Sequence, residues 1–275
     1  ARTPSVYAES SFGRAFPRFY IRGLGNTDFD LNANQPVSIV HDEVVLENPI
    51  LKGFPVFDVE RIEVLRGPQG TLFGRNTPAG VIKFESAKPT PEQEGYARFG
   101  FGRFDAVDFE SAVSGPLSET VSARLSGLYQ RRSDFVDNIA PAETRIPGVP
   151  EEFEGFEEFA VRGQLLFQPT DTFSLLLNVH GRDVEGGSRT FRANAIQPGG
   201  GLVAGFDRFT AAQDSLQTLT IQNLGASARA DWNIGWGEVT SITAWESIDL
   251  DARGDVDGGF GAVFAPPFGP GFIPF

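Results

Sequence analysis

Residues 57–90 read FDVERIEVLRGPQGTLFGRNTPAGVIKFESAKPT, and this stretch holds the most specific local signal in the chain. Val59, Ile62, Val64 and Leu65 supply one apolar strand, and GVIKF at 80–84 supplies a second. Gly67, Gly70 and Gly74 between them admit the positive φ that a tight return demands, and Gly80 lets the second strand start close to the first. The run is not a nucleotide loop. RGPQGTLFGRN has no G-K-[ST] after its glycines and no G-x-G-x-x-G, so a phosphate cradle is not expected.

Upstream, residues 1–92 are irregular in period and dense in Gly, Pro and Asn, with short apolar runs such as FYI and VSIV between turn signals. They read as a small mixed α+β domain. Downstream of about Pro91 the texture changes to segments of roughly ten residues with strict alternation, a period-2 strand signal. The predicted division is therefore 1–92 and 93–275.

The alternation is clear segment by segment. Val121, Ala123, Leu125, Gly127 and Tyr129 oppose Ser122, Arg124, Ser126 and Gln130; Phe159, Val161, Leu165 and Phe167 oppose Glu158, Arg162, Gln164 and Gln168. Segments 96–103, 173–180 and 224–232 behave alike, while 107–114 and 238–248 fit less cleanly. Connections alternate between tight (PLSE, PTDT, NIGWG) and long (134–156, 184–217), so the long loops share one end. Strands of about ten residues, apolar on one face and polar on the other, with short turns at one end and long loops at the other, describe an outer-membrane barrel. A soluble sandwich also alternates. Its polar face tends toward Lys and Glu, whereas these faces carry Ser, Arg, Gln, Asn and Asp, and aromatics gather near the strand ends as interface girdles would.

Composition narrows the function. A formal charge of −13 removes the clustered basic footprint of a nucleic-acid binder. The absence of Cys excludes disulfides and thiolate metal sites. His41 and His180 have no metal-like spacing around them, so neither a metal site nor a cofactor is expected. No stretch is apolar enough for a helical span, and the start lacks a signal-peptide pattern. With no Met in the chain, Ala1 is not expected to be the initiator position.

FYIRGLGN at 19–26, PVSIVHDEVVLENP at 36–49 and the 57–90 stretch resemble, in order and spacing, the plug motifs of TonB-dependent outer-membrane receptors. The resemblance is strong over 19–90 and one of pattern only beyond. It implies an antiparallel membrane β-barrel of about 22 strands in the whole receptor, with the plug in its lumen and the first seven or so strands present here. An open sheet edge in lipid leaves backbone groups unsatisfied, so most of the barrel, the early plug and the N-terminal TonB box are expected to lie outside this chain.

The implied partners are TonB, outer-membrane lipid of a Gram-negative cell and a small extracellular ligand. The implied activity is active import of a scarce nutrient, a ferric siderophore first and cobalamin, haem or an oligosaccharide next, without enzymatic chemistry. The resemblance assigns Arg22 and Arg66 to a plug–barrel latch; the alternative is that they cap loop carbonyls within the plug. It makes Gly25, Asn26, Asp28, Phe29, Glu47 and Asn48 candidate ligand contacts, with ordinary turn chemistry as the alternative. In the long loops, Phe191, Arg192 and Arg208 are candidates for stacking on a flat ligand, and the acidic run through Glu151, Glu152, Glu154, Glu157 and Glu158 reads as a solvated tip. The other readings are a soluble lectin-like β domain and, with no placeable pair of carboxylates, a glycosidase.

Overall fold

A computed structural model describes residues 3–10, 13–28, 30, 33–192, 195–197 and 199–255. Strands β1 (Val6–Ser10) and β2 (Pro17–Ile21) form an antiparallel hairpin. Strands β3 (Val37–His41), β4 (Val44–Leu46), β5 (Val59–Arg66) and β6 (Gly80–Ser86) form a sheet ordered β4-β3-β6-β5. β3 runs parallel to β6, and its first four residues are all buried, as its continuous apolar run requires of a strand covered on both faces. Ile21, Val37, Ile39, Leu46, Ala79 and Ile82 make the core of this unit.

The 57–90 stretch folds back on itself as its pattern predicts, β5 pairing antiparallel with β6. Gly67 and Gly74 take positive φ, but Gly70 does not: it opens a single helical turn, Gly70–Phe73, that fills the return. Gly80 is where the chain most needs glycine. A Cβ there would lie 2.2 Å from the Leu65 carbonyl oxygen, at a φ of +146°.

Seven long strands follow: β7 (Glu94–Gly102), β8 (Ala106–Pro116) and β9 (Val121–Arg132), then, beyond the short loop strands β10 (Val136–Asn138) and β11 (Glu152–Phe153), β12 (Phe156–Thr170) and β13 (Phe173–Gly186). After the two-residue β14 (Thr210–Ala211) come β15 (Thr218–Asn233) and β16 (Glu238–Arg253). The long strands form one antiparallel meander, and β10, β11 and β14 form a separate small sheet from the two long loops. The sheet's inner face, carrying Arg124, Glu158, Arg162, Asn178 and His180, is covered by the N-terminal unit. Phe57 packs on Leu128 and Ala160, and Phe16 packs on Val184, Leu219 and Ile221.

The outer face stays apolar and exposed, from Phe101 at one end to Trp236 at the other, 82% and 88% accessible. Phe99, Phe109, Tyr129 and Phe159 stand opposite one another across four neighbouring strands, a continuous aromatic row near the long-loop end. Phe167 lies eight residues along β12 from Phe159, about 27 Å of strand, or ~20 Å of membrane thickness at a tilt of roughly 40°. A soluble sandwich has no use for such a band. No helix among the described residues is long and apolar enough to cross a membrane.

Candidate functional site

The N-terminal unit is held to the sheet by buried polar clusters at three heights. Nearest the short turns, Asp58 leads into β5 with φ +50°, a conformation that Asp tolerates better than most side chains. It accepts two hydrogen bonds from Arg124 on β9, Nε–Oδ2 at 2.8 Å and Nη2–Oδ1 at 2.6 Å. Arg124 Nη1 reaches Glu94 at 2.6 Å, and Tyr96 donates to Glu110 at 2.5 Å and to Asp58 at 3.3 Å. Glu110 in turn accepts the Asp58 backbone N–H at 3.1 Å. A bidentate pair in this setting is strong, and removing one member strands the other without compensation.

At mid-height, His41 and Asp42 at the end of β3 face Arg162, Asn178, His180 and Glu246 from the sheet. The two histidine rings, remote in sequence, meet edge to face with centroids 6.2 Å apart, and Phe54 lies 5.0 Å from His180. Arg162, 1% exposed, has no carboxylate partner within ion-pair distance among the described residues. Its neighbours are the Phe57 carbonyl at 3.4 Å, the His41 ring nitrogen at 3.4 Å and the Phe57 ring face at 4.7 Å. Burial and the nearby Arg162 charge pull the His41 pKa down to about 4, against the opposing pull of Asp42, so the ring is neutral at neutral pH. Burial alone would raise Asp42; His41, Arg162 and the hydrogen bonds from Ser86 hold it below its ordinary value.

At the long-loop end, Arg14 forms an ion pair with Glu158 on β12, donates to Gln130 at 2.6 Å, and lies 4.0 Å from the Phe156 ring centroid. Glu158 is fully buried, and its other oxygen takes Arg182 Nε at 2.8 Å. The last acid of the 151–158 run is therefore an inward ion-pair hub. It had already fallen on the polar register of its strand, which was the available signal.

Arg22 and Arg66 are exposed and make no ion pair among the described residues. Arg66 pairs with Gly80, and Ile21 packs beside Gly80, so both arginines stand at one end of the four-stranded sheet; His41 and Asp58 meet the wall at the other. Asn26 donates to the Asn34 carbonyl at 2.9 Å and accepts the Asp28 N–H at 2.8 Å, while the Asp28 carbonyl takes Arg18 at 2.7 Å. Asn34 also meets Asn76 at 3.4 Å, next to Arg75, which pairs with Glu47 at 2.9 Å. Asn48 caps the Ile50 N–H at 2.9 Å, and Ile50, like Ile248 and Leu250 on the long-loop half of β16, packs against the cluster of Phe16, Val184, Leu219 and Ile221. Loops 25–28, 34 and 47–50 are thus linked through 75–76. Gly25 packs close to the Tyr20 ring, and Phe29 lies outside the described residues.

In the second long loop, Arg192 is engaged by the carbonyls of Thr210, Arg208 and Thr190 at 3.0, 2.8 and 3.5 Å, bracing the loop from within. Arg208 covers the neighbouring Phe209 ring at 4.7 Å, and that ring joins Phe104 and Phe135 in an aromatic cluster. Phe191 offers its carbonyl to Gln213 at 2.8 Å. Among the described residues no group of three or more His, Asp or Glu side chains is placed to hold a metal ion.

The family model described as TonB-dependent Receptor Plug Domain matches residues 1–81. The ferrioxamine B receptor of Salmonella typhimurium is 30% identical over 209 residues, covering 74% of this chain and 27% of the relative. The ferripyoverdine receptor of Pseudomonas aeruginosa is 37% identical over 138 residues, 50% of this chain and 16% of the relative. In fold, the ferric yersiniabactin uptake receptor of Yersinia pestis superposes with a TM-score of 0.75 at 18% identity, over 90% of this chain and 37% of that one. The ferripyoverdine receptor of the Pseudomonas aeruginosa outer membrane, bound to ferripyoverdine, gives 0.64 at 20% identity, over 91% and 32%. The chain spans about a quarter of the length of the first curated relatives it matches, 27% and 24% in two ferrioxamine receptors.

Proposed function

The chain belongs to the TonB-dependent outer-membrane receptors, and from that premise we propose that the whole protein imports a ferric siderophore across the Gram-negative outer membrane, driven by TonB. The observation that carries the reading is the plug sheet seated by buried ion pairs on the polar inner face of strands whose outer face is a continuous apolar band. The relatives named for ferrioxamine, ferripyoverdine and yersiniabactin support a siderophore as the ligand.

In this reading residues 1–92 are plug and 93–275 are wall. Arg22 and Arg66, at the sheet end turned away from these strands, pair with glutamates on barrel strands that the chain does not contain. Gly25, Asn26, Asp28, Phe29, Glu47 and Asn48 form the ligand-facing rim of the plug, and Phe191, Arg192 and Arg208 stiffen the loop above it. No covalent chemistry is assigned. Ligand binding shifts the plug only by its differential affinity for the seated and released states, and a marginal latch built from desolvated charges suits a part that must leave.

The test is uptake of radio-iron by iron-starved cells that produce the whole protein. Accumulation from at least one ferric siderophore, lost when TonB is deleted, is expected. Uptake indifferent to TonB, or soluble protein released without detergent, contradicts the reading.

A further inference from the structure

Three adjoining cavities of about 490, 370 and 160 Å³ open at the long-loop end and share Phe156 and Arg132. The smallest lies between plug residues Gly13 and Arg14, wall residues Arg132 and Phe156, and long-loop residues Glu154 and Arg189. Its charge is unbalanced. Glu154 on the rim, Asp134 beside it and Glu158 beneath stand against the four guanidinium groups of Arg14, Arg132, Arg182 and Arg189, in a protein whose net charge is −13.

The arginines are also incompletely satisfied. Arg132 Nη2 donates to the Glu154 carbonyl at 2.8 Å, but its buried Nε has no hydrogen-bond partner among the described residues. The Arg189 guanidinium has neither an ion pair nor a hydrogen bond among the described residues. Phe156 supplies an aromatic floor, 4.0 Å from Arg14 Cζ and 5.2 Å from Arg132 Cζ.

We propose that this cleft is a subsite for an acid group, carboxylate or ionised phenol, of the ligand taken up by the receptor, held by Arg132 and Arg189 over Phe156. The proposal rests on the import reading and adds to it the charge of the ligand. Guanidinium forks match planar oxyanions two bonds at a time and stack on aromatic faces, which a neutral hydroxamate complex exploits poorly. The 160 Å³ cavity takes one such group, and the two larger cavities leave room for the rest of the molecule. Arg14 borders the same cleft while pairing with Glu158, so an anion seated there competes for the residue that holds the plug to the wall.

The experiment is radio-iron uptake by cells producing the whole receptor, from a ferric tricatecholate, ferric dicitrate and ferrioxamine B, the last carrying no free acid. Wild type is compared with Arg189→Gln and Arg132→Gln at matched abundance in the outer membrane. Uptake of an acid-bearing complex, with half-saturation raised about tenfold or more in each variant, is the expected result. Acid-bearing uptake that is unchanged in both variants, or uptake of ferrioxamine B alone, overturns the subsite and leaves the import reading standing. Uptake of none of the three overturns the import reading and the subsite with it. Arg189 is exposed, so its variant does not put folding at risk.

Discussion

Asp58 and Arg124 are the residue pair on which the seating of the plug most depends, with side chains 1% and 6% exposed and two bonds of 2.6 and 2.8 Å between them. Asp58→Asn keeps the shape and tolerates the positive φ but leaves Arg124 with only Glu94. The expected cost to the whole receptor in detergent is about 3–5 kcal/mol by chemical unfolding. Adding Arg124→Met to the same protein is expected to recover most of it, and strict additivity would show that the two do not act as a pair. His41 makes the seating pH-dependent. Its pKa is about 4 when buried against an ordinary 6.5, so the neutral ring's contribution is fully present above pH 6.5 and is lost as pH falls toward 4. The loss amounts to roughly 3 kcal/mol at most. The groups facing it, Asp42, Arg162, His180 and Glu246, stay in place, so His41→Gln should flatten the fall in melting temperature between pH 7 and 4; an equally steep fall would assign it to other groups. That Arg124, Glu158 and Arg162 point inward was legible from alternation alone. Their partners were not, because Asp58 is 66 residues from Arg124 and Arg14 is 144 from Glu158, separations that no local pattern spans.

The β5–β6 return and the wall strands carry the predictions that belong to elements. Gly80→Ala drives a methyl group into the Leu65 carbonyl at a φ that L-residues avoid, and is expected to cost about 3 kcal/mol or more and to deplete the receptor from the outer membrane. Normal abundance and melting would show that the return is looser than it stands here. Leu165 sits on the outer face of β12, 44% exposed and between the Phe159 and Phe167 levels. Leu165→Arg is expected to destabilise the receptor in lipid by about 2–4 kcal/mol, whereas in a water-soluble sandwich the same change on an exposed face would cost little. Period-2 patterning marks five of the seven long strands cleanly, whereas β8 and β16 fit it less well because small or polar residues on the outer face blur the alternation. The small sheet of β10, β11 and β14 left no such trace, since strands of two or three residues are too short to show a period. Its order comes from pairings such as Asp137 with Thr210, made only once the two loops meet.

At the scale of the whole molecule, the seven-stranded sheet covers one side of the plug, and among the described residues its edges β7 and β16 are unpaired. Arg22, Arg66 and the exposed Leu72 lie on parts of the plug these strands leave open, which is consistent with a chain spanning about a quarter of its relatives. The chain has no Cys, so paired substitutions across the plug–wall interface place the only two thiols within it. Asp42→Cys with Asn178→Cys, whose native side chains approach to 3.3 Å, joined in the intact outer membrane by a short bis-maleimide, is the most direct measurement. The expected result is efficient cross-linking that leaves siderophore binding at the cell surface intact and abolishes uptake, while the uncross-linked pair still transports. Failure to cross-link, or uptake undiminished with the plug tethered to its wall, would contradict a plug that sits on these strands and must move for import.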